Sequence, residues 1–137
     1  MLYLNTDGGA RGNPGIAGVG AYIYTGEGKV IEKLSQGLGV ATNNEAEYRA
    51  VILGFSKLIE LYGETLKTRH VELRVDSELV GRQLSGIYRV KEPRLRALYE
   101  EVLKLRIHIP LLTIKTIPRE ENAVADKLAN EAMDKQG

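Results

Sequence analysis

The spacing of hydrophobic positions changes along the chain, and the changes mark its elements. "MLYLNTD" at the start is strand-like, and "GGARGNPG" after it carries the glycine and proline of a turn. "AGVGAYIYT" and "KVIEKLSQGLG" read as two further strands joined at "GEG", so the first three strands lie in meander order. From Asn44 to about Leu61 the apolar residues recur at helical spacing, with Gly63 as the stop. A period of two returns in "HVELRVD", residues 70–76, where Val71, Leu73 and Val75 share one face. "SELVGRQLSG" predicts a short helix capped by Ser77, and "PRLRALYEEVLKLR" a second helix with Pro93 in its first turn. "LLTIKTI" predicts a strand and "NAVADKLANEAM" a last helix capped by Asn122. A hairpin region followed by alternating helix and strand implies an α/β fold, a mixed sheet covered by helices.

Composition narrows the chemistry. A length of 137 residues suits one domain with one core, so residues 1–137 are read as a single unit with one site. With 43% hydrophobic and 27% charged residues and no long apolar run, a soluble protein without a membrane span is expected. Met1 leads straight into "LYLNTD" without a basic or apolar leader, so the expected location is the cytoplasm. The absence of cysteine excludes disulfides, thiolate nucleophiles and sulfur-built zinc sites, which leaves oxygen or imidazole for any metal. Net charge is only +1, so a polyanionic partner has to be met by a local patch. Arg82, Arg89, Lys91, Arg94 and Arg96 form one such patch, interrupted by a single acid, Glu92.

Among the 18 acids, position picks out four. Asp7 ends the first predicted strand, where an Asx-turn is the ordinary reading. Asp76 ends "HVELRV" on the opposite parity from Val71, Leu73 and Val75, just before a helix that it could help to cap. In the stretch "TNNEAEY", Glu47 falls on one helical stripe with Val51, Gly54, Leu58 and Leu61, whereas Glu45 lies with Arg49, Ile52 and Ser56. Glu47 therefore points inward, and Glu45, at capping-box spacing from Thr42, suits the structural job. Asp126 lies in the first turn of the last helix, a common place for an acid. Four bare carboxylates brought to one sheet edge would repel, and the physical reason to gather them is a hard divalent cation, magnesium or manganese, held through oxygen.

"TDGGARGNPG", "TNNEAEYRAV", "VDSELV" and "PREENAVADKLA", in this order over essentially the whole chain, resemble type 1 ribonuclease H. The resemblance implies the ribonuclease H-like fold, a five-stranded mixed sheet with its first three strands antiparallel and helices on both faces. It implies an endoribonuclease that cuts the RNA strand of RNA/DNA hybrids by a two-metal-ion mechanism, leaving 5′-phosphate and 3′-hydroxyl ends. Asp7, Glu47, Asp76 and Asp126 match the family's four catalytic, metal-binding carboxylates. Gly9, Ala10, Asn13, Asn43 and Asn44 match its minor-groove contacts, and Thr42 its contact to a DNA phosphate. Arg119 stands near the place where many relatives have a mobile histidine; always protonated, it suits holding phosphate or aiding product release and is no proton shuttle. The loop "LSGIYRVKEPRLR" is shorter than the extended basic loop of many relatives and lacks tryptophan, and its four basic residues, with Arg82 just before it, serve in part for that loop. A monomer is expected. A module that binds hybrid without cutting, and an enzyme that also cuts double-stranded RNA, are the competing readings.

Overall fold

The computed structural model describes residues 1–136. Three long strands come first: β1 (Leu2–Arg11), β2 (Gly15–Thr25) and β3 (Val30–Ala41). Helix α1 (Asn43–Tyr62) follows, then β4 (Val71–Val75), α2 (Glu78–Leu84), α3 (Pro93–Arg106), β5 (Leu112–Thr116) and α4 (Ala123–Gln136). The sheet order is β3-β2-β1-β4-β5, antiparallel among the first three strands and parallel from β1 through β5. This is the mixed five-stranded sheet expected.

One face of the sheet builds the core. Leu2 and Leu4 of β1 register with Val71 and Leu73 of β4, and all four are fully buried with Tyr48, Val51, Phe55 and Leu58 of α1. Burying each such side chain contributes about 1.5–3 kcal/mol. Tyr48 enters this core only because its hydroxyl donates to Gln83 Oε1 at 2.6 Å, which satisfies its polar end. The expected stripe of α1 is buried at Val51, Gly54 and Leu58, but Leu61 at its end is 43% exposed. Gly63 stops the helix at φ 50°.

Helix α4 covers part of the opposite face. It sits close because Gly20 has no side chain: a Cβ there would meet the Ala125 carbonyl oxygen at 2.3 Å. On the core side, a Cβ on Gly8 would meet the Ala46 carbonyl oxygen at 2.3 Å, so the start of α1 rests directly on β1. These two close approaches, from opposite faces, bring both helix N-termini to the same stretch of β1.

Two expectations need correction. The turn expected over "GGARGNPG" is shorter, because β1 keeps pairing with β2 through Gly8↔Val19 to Arg11↔Ile16. Asp7 therefore does not end a strand; it lies where β1 outruns its pairing with β4, whose last pair is Asn5↔Arg74. Two short 3-10 turns, Gly63–Thr68 and Arg119–Glu121, were not foreseen. No helix among the described residues is long and apolar enough to cross a membrane.

Candidate active site

Where β1 outruns β4, three carboxylates meet. Asp7, Glu47 and Asp76 each offer an oxygen, and these oxygens all lie within 4.8 Å of one another. Asp7 comes from β1, Asp76 from the residue after β4, and Glu47 from the first turns of α1, lowered onto β1 at Gly8. Asp126, in the first turn of α4, lines the same cleft without joining that tight group of three. Its helix is set by the approach at Gly20, the register partner of Asp7.

The electrostatics are those of acids without a counter-charge. Glu47 is 8% exposed and Asp7 6% exposed, and among the described residues no lysine, arginine or histidine pairs with either of them or with Asp76 or Asp126. Burial, and then the neighbouring Asp7 and Asp76 charges, push Glu47 up from 4.5 to about 9. Burial, then Asp76 and Asp126, push Asp7 up from 3.8 to about 7. Among the described residues the buried side-chain atoms without a hydrogen-bond partner are Thr6 Oγ1, Glu47 Oε2 and Asn122 Oδ1, all at this end of the sheet. A few such atoms occur in most proteins, but their gathering at one place marks a site left incomplete by the fold itself.

The two acids of "TNNEAEY" divide their roles as expected. Thr42 Oγ1 accepts from Glu45 N at 3.1 Å while Glu45 Oε1 accepts from Thr42 N at 3.2 Å, a complete capping box. Glu47 takes no part in the cap and turns to the cluster.

The candidate substrate contacts spread over two adjoining depressions. Gly9, Ala10, Asn43, Asn44 and Arg119 line a cleft of about 670 Å³ with the four acids. Asn13, Thr42 and Asn44 line a second, of about 410 Å³, with Glu45, Glu92, Arg94 and Leu95. Ala10 N donates to Asn43 Oδ1 at 2.8 Å and Asn43 N donates to Asn13 Oδ1 at 3.1 Å, which locks the β1–β2 turn to the start of α1. Asn43 itself is exposed and lines the cleft. Arg119 is exposed on the second 3-10 turn. The basic residues Arg82, Arg89, Lys91, Arg94 and Arg96 are all exposed, and the one acid among them, Glu92, caps α3 by accepting from Leu95 N at 2.9 Å.

Sequence reasoning missed two residues here. Asn130 Nδ2, four residues beyond Asp126, donates to its carbonyl at 3.0 Å and its Oδ1 at 3.3 Å; helical spacing would have found it. Asn122 was expected to cap α4. Its carbonyl does accept from Asp126 N at 3.0 Å, but its side chain turns away from the helix and donates to Thr6 O and Asp76 Oδ2 instead. No sequence signal separates these two uses of an asparagine at a helix start.

A family model described as "Reverse transcriptase-like" matches residues 5–132. A bifunctional protein of Mycobacterium tuberculosis is 41% identical over 134 residues, 97% of this chain but 35% of the relative, so the chain spans about a third of that protein's length. Ribonuclease HI of Halobacterium salinarum is 38% identical over 128 residues, covering 93% of this chain and 62% of the relative. The crystal structure of LC11-RNase H1 in complex with an RNA/DNA hybrid superposes with a TM-score of 0.95 at 43% identity, covering 99% of both chains.

Proposed function

The chain belongs to the ribonuclease H family, and from that premise we propose that it is an endonuclease hydrolysing the RNA strand of RNA/DNA hybrids. The observation that carries the reading is the convergence of Asp7, Glu47 and Asp76 within 4.8 Å with, among the described residues, no ion pair to any of them. Gathered acids with Glu47 Oε2 buried and without a hydrogen-bond partner fit a bound cation, and an all-oxygen donor set suits magnesium or manganese. Asp7, Glu47, Asp76 and Asp126 would hold these ions. The chemistry supplied by bound divalent cations is activation of the attacking water and stabilisation of the departing 3′ oxygen.

The remaining residues bind and orient. The Thr42 hydroxyl accepts within its capping box, so its hydrogen is free to donate to a DNA phosphate, with exposed Arg94 alongside. Gly9, Ala10, Asn43 and Asn44 present backbone and amide groups along the cleft, suited to 2′-hydroxyls and base edges met without regard to sequence. Arg119 at the rim holds phosphate or hastens its release as a fixed cation.

The test is cleavage of end-labelled hybrid, double-stranded RNA and single-stranded RNA of one sequence, with magnesium, manganese or chelator, beside Asp126→Asn. Metal-dependent cuts within the hybrid's RNA strand, absent in the variant, support the proposal, and cuts in the duplex RNA extend it. Binding of hybrid without cleavage would make the protein a recognition module.

A further inference from the structure

Asn122 is fully buried, yet its side chain does not cap the helix it precedes. The pairing of β1 with β4 ends at Asn5 and Arg74. One residue further along β1, the Thr6 carbonyl accepts from Asn122 Nδ2 at 2.9 Å; two residues further along from Arg74, Asp76 Oδ2 accepts from the same nitrogen at 3.0 Å. An amide N–H₂ has two hydrogens, and these two acceptors use both. The orientation is fixed by chemistry, since reversing the amide would set its oxygen against a carbonyl and a carboxylate. Asn122 Oδ1 is consequently left buried without a partner, a destabilising arrangement that the usual cap acceptor bond would have avoided.

We propose that Asn122 is a positioning residue for Asp76, a side-chain clamp that continues the β1–β4 ladder past its last backbone pair and fixes the carboxylate's rotation for metal binding. This rests on the metal-binding reading of the cluster above. The clamp also ties the first residue of α4's approach to the carboxyl ends of β1 and β4, so that Asp126, four residues on, is placed by the same contact that orients Asp76. Outer groups that orient metal ligands change affinity or activity on the order of ten- to a hundred-fold when removed.

The experiment is calorimetric titration of manganese into the wild-type protein, Asn122→Ala and Asn122→Ser, without nucleic acid, beside metal-free melting of each. Serine is a good helix cap but cannot reach two acceptors, so it separates capping from clamping. The expected result is that serine recovers the metal-free melting temperature lost by alanine while both variants bind manganese on the order of ten-fold more weakly than wild type. Manganese affinity restored by serine, or unchanged in both, overturns the proposal. Failure of the wild type to bind manganese would instead overturn the metal-binding reading, and this proposal with it. A measurement on the wild type alone covers variants that do not fold: the Asn122 side-chain amide protons should exchange slowly and shift on adding magnesium, and fast exchange without a shift overturns the clamp.

Discussion

Strands β1 and β4 run parallel, and their alternate residues Tyr3, Asn5 and Asp7 on one, Glu72, Arg74 and Asp76 on the other, share one side of the sheet, yet the two ends of this strip are built on opposite terms. At the first end the fold satisfies itself. The Tyr3 and Tyr24 rings stack at 5.2 Å and those of Tyr24 and Tyr22 at 4.5 Å, with Arg74 over Tyr3 at 4.5 Å and Lys33 over Tyr22 at 5.9 Å. Arg74 Nε donates to Glu72 Oε2 at 2.6 Å, and the Tyr24 hydroxyl accepts from Arg74 Nη1 at 3.2 Å while donating to Asn5 Oδ1 at 2.9 Å. Two residues along each strand, Asp7 and Asp76 have neighbours of their own sign and, among the described residues, no ion pair to a cation. Charge answered inside the fold stabilises it; charge left unanswered is set aside for something the chain does not contain.

The largest effects should come from removing that unanswered charge. Asp7→Asn and Glu47→Gln are expected to lower hybrid cleavage by about a thousand-fold or more, since lost metal-borne stabilisation amounts to several kcal/mol and each 1.4 kcal/mol is ten-fold. Their metal-free melting temperatures should hold or rise, because repulsion is relieved. Glu45→Gln, two residues from Glu47, should keep most of the activity and, since glutamine can still accept from Thr42 N, lose no more than about 0.3–1 kcal/mol through the charge removed from the first turn of α1. Melting in chelator and single-turnover cleavage check all three. An Asp7→Asn protein that melts far below wild type without metal would show the acid to be structural after all.

How much of this contrast was legible beforehand follows from its physical origin. The division between Glu45 and Glu47 was readable, because helical geometry alone decides which of two acids faces the sheet. Ser77 and Pro93 were readable as helix starts because capping and proline effects are local. The continuation of β1 through Gly8 and Gly9 was not, since glycine carries a turn signal even where its missing side chain serves the approach of α1. Asn122 was misread because its partners, Thr6 and Asp76, are remote in sequence. The tyrosine stack escaped notice for the same reason: Tyr3 meets Tyr24 only through strand register.

The pH dependence of stability should sharpen the contrast next. In the metal-free fold Asp7 is held up to about 7 and Glu47 to about 9, with burial the first cause in each case. The folded protein thus keeps protons at pH values where the unfolded chain has already released them. The stability these groups contribute is complete below about pH 4 and is lost as the pH rises through 7 and then 9. Melting in chelator should therefore fall between about pH 5 and 9, and the fall should flatten with saturating manganese and in Glu47→Gln. A wild-type slope identical to that of Glu47→Gln would assign the effect to other groups.

The smallest effect is expected at the self-satisfied end. Arg74→Met keeps the aliphatic bulk beside Tyr3 but removes a cation from an ion pair whose side chains are 26% and 19% exposed. Partial solvation limits what that pair is worth, and the loss should be about 1 kcal/mol by urea unfolding, somewhat more than a fully exposed pair would show. Hybrid cleavage and manganese affinity should stay within about two-fold of wild type, since Arg74 bonds Glu72 and Tyr24 and shares no hydrogen-bond partner with the carboxylates of the cluster. The comparison is sharpest here because Arg74 and Asp76 are two residues apart on one face. If Arg74→Met weakened manganese binding as Asn122→Ser is expected to, the stack would be part of the site's support, and the boundary between the two ends would have to move toward Tyr24 and Asn5.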